Sequence, residues 1–275
     1  MGSEMCIRDR TIYGAYSRMI KQLYITQLTT IFRKEFFRWS RIWIQTILPS
    51  VITIFLYITI FGNFIGSRLG DISGLPYIQF ILPGLIIMPI ISNSYMNVVG
   101  SFYSGRFQKS VEELFVSPLS SHVILIGYVL GGVSRAFVVG FAVYLVSLSF
   151  TNIPIHNVYL AIFLTLLVSF LFSILGFINA VYAKSFDDIN IIPTFVLTPL
   201  TYLGGTFYSI YNLPEAWQTV SLFNPIAYMV SAFRYAFIGI EEMNTLYAIV
   251  MMFILIFFMY SLAIYLLNRG IGVKN

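Results

Sequence analysis

The chain of 275 residues is long enough for two soluble domains, but its composition excludes that class of protein. Hydrophobic residues make up 58% of the chain and charged residues only 10%, whereas soluble domains carry about a quarter of charged residues. Lys and Arg exceed Asp and Glu by 16 to 11, yet no soluble basic surface remains beside the apolar stretches, so nucleic acid is not an expected partner. Apolar stretches of about 20 residues or more, without strand-like alternation, predict an all-α integral membrane protein.

Two segments precede the first apolar stretch. Residues 1–18 begin with Met-Gly-Ser and differ in character from the rest, so we expect a non-native or disordered leader outside the fold. Residues 19–41 combine basic side chains with apolar ones spaced three or four apart. That pattern predicts an amphipathic helix at the cytoplasmic membrane interface, and a plain positively charged flank of the first span is the alternative.

Six apolar segments are long enough to be transmembrane helices, each needing about 20 residues. They cover about residues 42–64, 78–100, 122–150, 158–182, 189–210 and 246–267, with a polar excursion at 101–121 after the second.

Residues 211–245 contain two predicted helix starts, at Asn212 before Leu213-Pro214 and at Asn224 before Pro225. The second helix would be about 22 Å long, too short for about 30 Å of hydrocarbon. We therefore predict a re-entrant helical pair, with Arg234, Glu241 and Glu242 toward water or partners. A seventh span is the alternative.

The basic residues predict the topology. In a six-span arrangement, 13 of the 16 Lys and Arg residues lie on one side of the membrane. Eight of them precede the first span, two lie in 101–121, one is Lys184 and two follow the last span. The positive-inside rule then places both termini in the cytoplasm. A seventh span would move Arg269 and Lys274 to the outside.

Motifs for chemistry are missing from the sequence. It has no phosphate-binding loop, no metal-ligand cluster and no nucleophile elbow. No acid or histidine lies deep in a span as a proton relay would require. We therefore expect no catalytic residue, no metal or cofactor bound by this chain and no enzyme activity of its own, with energy supplied by another polypeptide.

Arg135 is the one formal charge well inside a predicted span, which makes it a functional hypothesis. The alternative is that Arg135 snorkels or pairs with the carbonyls of a neighbouring helix.

The second and fifth predicted spans share a pattern of two prolines six residues apart, followed by polar and small residues on one face. Carbonyls freed by prolines need a neighbouring helix or water, so these faces suit a translocation pathway or a dimer interface. Helix packing by small and polar residues is the alternative. The candidate residues are Asn93, Asn97, Thr194, Thr198, Thr201 and Gly205.

Together these features resemble the ABC-2 type transporter permeases, and within them the bacterial inner-membrane permeases of the YadH type. The stretches that carry the resemblance are residues 61–68, 105–118, 186–189, 193–205 and 224–225. It implies a fold like that of type V ABC exporters and a permease that dimerises with a second copy. It also implies a separate ABC ATP-binding subunit that holds ATP and Mg. The segment after the second span would be the coupling helix, which contacts that subunit through Arg106, Lys109, Glu112, Glu113 and Leu114.

The expected function is therefore the membrane subunit of an ABC transporter, an exporter of a lipidic, glycan or amphipathic cargo in contact with membrane lipid. The alternative is a membrane scaffold, or a secondary transporter or channel. A secondary transporter or channel would need coupling residues or a charged ring in its spans.

Overall fold

The computed structural model describes residues 2–66, 71–72, 74–117, 119–151 and 155–271, and over these residues the chain is almost entirely helical. This confirms the predicted all-α class. The α-helices are α1 (Gly2–Arg41), α2 (Trp43–Tyr57), α3 (Tyr77–Phe107), α4 (Ser110–Val116), α5 (Ser121–Ser147), α6 (Val158–Tyr182), α7 (Asp188–Ile192), α8 (Thr198–Tyr202), α9 (Glu215–Leu222), α10 (Pro225–Ile238) and α11 (Thr245–Asn268).

Shorter elements complete the described part of the chain. Two π-helical segments cover Ile58–Ile65 and Pro193–Leu197, and a 3-10 turn covers Ile210–Asn212. Strands β1 (Asp71–Ile72) and β2 (Leu75–Pro76) form a two-residue antiparallel hairpin before α3. The connection between the third and fourth predicted spans lies partly outside the described residues.

Within the described part of the chain, five helices are long and apolar enough to cross a membrane: Trp43–Gly62, α3, α5, α6 and α11. They correspond to the first, second, third, fourth and sixth predicted spans. The main difference is that α3 continues to Phe107, whereas the prediction ended that span at residue 100.

The fifth predicted span, 189–210, is not one continuous α-helix. α7 ends at Ile192, the π-helical segment follows, and the helix stops at Tyr202. Pro193 and Pro199 cause the break because proline lacks an N–H and its ring clashes with the preceding turn.

The two ends of this broken segment nevertheless lie at opposite ends of the bundle. Near the end of α6, the Asn179 amide donates to the Ile189 carbonyl at 3.3 Å. At the start of α3, the Tyr77 hydroxyl donates to the Phe207 carbonyl at 2.9 Å. We call the end where α3 meets α4 the α4 end, and the end at Tyr77 the opposite end.

α3 is the most buried of the five long helices, and α2 and α11 are the least buried. Two glycines on neighbouring helices allow close approach to the backbone of α3. A Cβ on Gly132 of α5 would lie 2.9 Å from the Ser94 carbonyl oxygen, and one on Gly176 of α6 would lie 2.5 Å from that of Tyr95. Close backbone contact through small residues is a main source of helix association in membranes.

The last turns of α1 run alongside α5. Ile31 packs on Gly127, Glu35 packs on Gly131, and the contacts advance in step along both helices. The prediction placed all of 19–41 at the membrane interface, whereas the groove left by these two glycines aligns residues 31–39 with a long apolar helix. α1 also begins at Gly2, so the backbone of the predicted leader is helical.

α9 and α10 form a helical pair between the broken segment and α11. α10 begins at Pro225 with Asn224 as its N-cap, as the sequence predicts, and the Asn224 Oδ1 accepts the Ile226 N–H at 3.0 Å. The Asn224 amide also donates to the Leu200 carbonyl at 2.6 Å, which attaches the cap to the end of α8.

Candidate functional site

The short helix α4 is held beyond the end of the bundle by α3. α3 has 31 residues, so it is about 46 Å long and exceeds the hydrocarbon thickness of about 30 Å by about 16 Å. Lys109, in the left-handed conformation with φ 58°, makes the turn between the two helices. Val111 is buried against Gly105, which anchors one face of α4.

The other face of α4 is free in the single chain. Glu112, Glu113 and Lys109 are exposed, and Leu114 is half-buried against the core. Val116 and Phe107 expose 88% and 69% of their surface. An acidic pair flanked by exposed apolar side chains is a surface suited to a partner with a basic, partly apolar groove.

Arg106 does not belong to this free face. Its Nη1 donates to the carbonyls of Ala180, Val181 (2.8 Å) and Ala183 (3.3 Å) at the end of α6. The last carbonyls of a helix lack partners within it, and a cation there also interacts favourably with the helix dipole. Arg106 therefore fastens the end of α3 to the end of α6.

The turn after α6 packs against the same place. The Phe186 ring contacts the rings of Tyr103 (4.8 Å between centroids) and Phe107 (5.3 Å). The Asp188 carboxylate accepts the N–H groups of Lys184 (2.8 Å) and Ser185 (3.1 Å). These hydrogen bonds, the Lys184 one first, hold the pKa of Asp188 below its ordinary value.

A polar cluster joins α1, α3 and α5 inside the bundle. Glu35, fully buried, pairs with Arg38 at 3.1 Å and accepts the Ser101 hydroxyl at 2.7 Å. The Arg38 Nη2 also donates to the carbonyl (3.0 Å) and side-chain oxygen (2.8 Å) of Asn97. A buried carboxylate is costly unless paired and hydrogen-bonded, and here it is both.

Arg135 of α5 contacts α3 at Asn93, one helical turn before the point where Arg38 contacts it. Its Nε donates to the Asn93 Oδ1 at 3.1 Å, and the Asn93 amide donates to Ser50 of α2 at 3.0 Å. The predicted alternatives for Arg135 were snorkelling or pairing with carbonyls, and the observed partner is a side-chain amide.

The candidate pathway residues fall into two groups. Asn93 and Asn97 are buried in the polar cluster, whereas Thr194 and Thr198 are exposed in the single chain. Thr201 is buried and bonds the Leu197 carbonyl at 2.6 Å, and Gly205 adopts a left-handed conformation with φ 74°. Among the hydrogen bonds of the described residues, none links the two groups.

The structure contradicts part of the prediction that Arg234, Glu241 and Glu242 face water or partners, because the Arg234 and Glu242 side chains are buried, whereas Glu241 is exposed. Arg234 is fully buried and forms an ion pair with Glu242, whose side chain is 6% exposed. The Arg234 Nη2 donates to the Gly205 carbonyl at 2.6 Å, and its guanidinium lies 3.9 Å from the centre of the Phe80 ring. The reason for the difference is that the two charges neutralise each other across a loop, which residue-by-residue hydropathy does not register.

Sequence reasoning also missed Glu35 and Arg38. Their charges were interpreted as part of the basic interfacial helix, but two features of the sequence indicate a buried position. Glu35 and Arg38 are three residues apart on one helix face, and Gly127 and Gly131 form a G-x-x-x-G pattern that admits another helix.

Long apolar helices that enclose paired charges and carry a short charged helix at one end define the class of protein: a helical membrane protein that crosses the bilayer several times. The model of the ABC-2 type transporter family matches residues 26–238. The chain therefore belongs to the ABC-2 type transporter family.

Its relatives include two kinds of protein. The chain is 48% identical over 255 residues to "Inner membrane transport permease YadH" of Escherichia coli (strain K12), which covers 92% of this chain and 99% of the relative. It is 23% identical over 205 residues to "Nodulation protein J" of Sinorhizobium fredii (strain NBRC 101917 / NGR234), covering 74% and 78% of the two chains. Nodulation protein J of Rhizobium meliloti (strain 1021) is 21% identical over 210 residues, covering 76% and 80%. The chain is thus a membrane permease of an ABC transporter.

Proposed function

We propose that this chain is the homodimeric inner-membrane subunit of an ABC exporter and that a separate ATP-binding subunit, which holds ATP and Mg, drives it. The observation that carries the proposal is α4, held clear of the hydrocarbon by the overhang of α3 and exposing Glu112 and Glu113. In the single chain, neither carboxylate has an ion-pair partner among the described residues that would offset their mutual repulsion. A basic groove on an ATP-binding subunit would do so, and ABC-2 permeases generally pair with such a subunit.

Six membrane crossings are part of the proposal. The broken segment supports a fifth crossing, because its contacts run from Asn179 at the α4 end to Tyr77 at the opposite end. Six crossings put both termini on one side, and the distribution of Lys and Arg makes that side the cytoplasm. A reporter fused to the C-terminus should therefore read cytoplasmic and one inserted at Asn212 extracytoplasmic, and two readings on the same side would refute this topology.

α9 and α10 are proposed to be a re-entrant pair that enters from the extracytoplasmic side. The turn between them, at Asn224, is level with Leu200 inside the bundle, whereas Gly239 after α10 packs against His156 at the opposite end. α10 has 14 residues and is about 21 Å long, so it returns without crossing.

A lipidic or amphipathic cargo is supported by an apolar cavity of about 360 Å³ between α6, the broken segment from α7 to α8, α10 and α11, with Tyr95 of α3 in its lining. Tyr95 and Asn179 contribute polar atoms to a lining that is otherwise mostly apolar, a composition typical of sites for largely hydrophobic ligands. The proposed direction is export.

The experiment that tests the coupling role replaces Glu112 and Glu113 with alanine. In proteoliposomes containing the assembled transporter, removal of a desolvated interfacial charge should cost about 2–5 kcal/mol, whereas a rim charge matters little. We expect loss of permease-stimulated ATP hydrolysis and weaker copurification of the ATP-binding subunit. The matched control is Glu215→Ala, an exposed acid in the first turn of α9 at the opposite end. Wild-type ATP hydrolysis and complex yield in the double variant would remove the acidic pair from coupling.

A further inference from the structure

Arg135 has hydrogen-bonding capacity that the chain does not use. Its Nε bonds Asn93, but neither Nη1 nor Nη2 has a hydrogen-bond partner among the described residues, and the side chain is only partly buried. A guanidinium is always charged and presents its donors in a planar fork that fits two oxygens of a phosphate or carboxylate. The free donors of Arg135 therefore suit an anionic group.

The neighbouring charges do not supply that anion. Glu35 is the acid of the cluster, and it is already engaged by Arg38 through two contacts at 3.1 and 3.2 Å and by Ser101. The remaining described partners of the two arginines, Asn93 and Asn97, are neutral. The cluster therefore holds two cations and one anion.

The two cations bond to successive turns of α3. Arg38 bonds to Asn97 and Arg135 bonds to Asn93, and the Cβ atoms of residues four apart on a helix are separated by about 6 Å. Two further donors of the cluster have no hydrogen-bond partner among the described residues. They are the Nη1 of Arg38, on a side chain that is 34% exposed, and the buried Nδ2 of Asn97.

The cluster lies at the level of lipid headgroups. α3 starts at Tyr77 at the opposite end, and about 20 residues of helix cross the hydrocarbon, so the boundary at the α4 end falls near Asn97. Arg38 is then at the boundary and Arg135 about one turn inside it, within reach of the headgroups for a long side chain.

We propose that Arg135 and Arg38 bind the phosphate of an anionic membrane lipid at the α4 end of the bundle, with Asn93 and Glu35 positioning the two guanidinium groups. The site is separate from the acidic surface of α4, and it concerns a resident lipid and not the cargo. Its occupation would neutralise the excess cation and fix α1 and α2 against α3 and α5.

The test measures lipid binding to the full-length, delipidated protein by native mass spectrometry in a neutral detergent. The probes are phosphatidylglycerol and phosphatidylcholine with the same acyl chains. A basic residue near the membrane surface attracts an anionic lipid by about 1 kcal/mol, so the wild-type protein should bind the first phosphatidylglycerol about fivefold more tightly. Equal affinity for the two lipids would overturn the proposal without any variant.

Arg135→Gln should abolish this preference, because glutamine can still donate to Asn93 but has no charge. The matched control is Arg33→Gln, which removes the same charge from an exposed position of α1 without a contact to the cluster, and it should keep the preference. Arg135→Lys keeps the charge and should keep most of the preference, so it covers the case in which Arg135→Gln folds poorly. An unchanged preference in Arg135→Gln, or its loss in Arg33→Gln as well, would refute the assignment.

A free anion is distinguished from a lipid by competition. Excess inorganic phosphate should not displace phosphatidylglycerol from the wild-type protein, because the acyl chains add apolar contact that the free ion lacks. Displacement would show a site for a soluble anion and overturn the lipid assignment. None of these measurements depends on ATP hydrolysis, so the result is independent of the proposed coupling role.

Discussion

Neutralising Glu242 tests whether the stability of the opposite end of the bundle depends on a buried ion pair. In Glu242→Gln, Arg234 keeps its charge and its full burial but loses the one anion in contact with it. The Gly205 carbonyl at 2.6 Å and the Phe80 ring at 3.9 Å remain as its partners. Both are weaker than a carboxylate for a cation that has no access to water.

The expected cost follows from these contacts. Breaking a buried ion pair by removing one partner destabilises a protein by about 3–5 kcal/mol. Because a carbonyl and a cation–π contact remain, and the latter is worth about 2 kcal/mol when desolvated, we expect the lower limit of about 3 kcal/mol. At about 2–4 °C per kcal/mol for a chain of this size, the unfolding temperature should fall by about 6–12 °C.

The assay is thermal unfolding of the full-length protein in detergent, followed by tryptophan fluorescence. Glu215→Gln is the matched control, since it makes the same chemical change at an exposed position and should shift stability by less than about 0.5 kcal/mol. Replacing both Arg234 and Glu242 with methionine removes the pair without leaving a lone charge, and it should recover most of the loss. Equal unfolding temperatures for Glu242→Gln and Glu215→Gln would refute the reasoning.

Three further predictions concern the middle and the α4 end of the bundle. Arg106→Gln should lower stability by about 1–3 kcal/mol, because it leaves carbonyls at the end of α6 without donors, and an unchanged unfolding temperature would contradict this. Gly176→Ala places a Cβ 2.5 Å from the Tyr95 carbonyl and should cost about 1–3 kcal/mol by the same assay, whereas Gly100→Ala, where a Cβ meets nothing within 4 Å, should not. On a background without Cys6, a cysteine at exposed Thr198 should react with a water-soluble thiol reagent if that residue lines a hydrated pathway, and one at buried Asn97 should react more slowly. Protection at residue 198 in every nucleotide state would favour simple helix packing.

The long helices were predictable because their signal is local. An uncharged run of about 20 residues fixes a span regardless of its neighbours, and α6 begins and ends at the predicted residues, Val158 and Tyr182. The Asn224-Pro225 helix start is similarly local, since a cap and a proline at the first position act on one turn.

The interruption between Pro193 and Pro199 was visible in the sequence but its result was not. Proline removes hydrogen bonds, and whether the helix kinks, widens into a π-helix or ends depends on which groups accept the change. Here the Thr198 hydroxyl donates to the Pro193 carbonyl at 2.9 Å, five residues back along the same segment. The end of the helix at Tyr202 could not be deduced from composition.

The positions of the arginines inside the bundle were the least predictable features. Their placement there has a common physical cause. Arg106, Arg38 and Arg234 each reach a carbonyl oxygen on another element: at the end of α6, on α3 at Asn97 and at Gly205. An isolated arginine is costly in an apolar environment, so hydropathy assigns it to water, but a carbonyl supplied from elsewhere in the fold removes much of that cost. Arg106 lies on α3 itself, Arg38 bonds to α3 at Asn97, and Arg234 lies over the ring of Phe80, so the three contacts lie near the end, the middle and the start of α3. α3 is therefore attached to α6, to α1 and to the Arg234–Glu242 ion pair at three levels along its length.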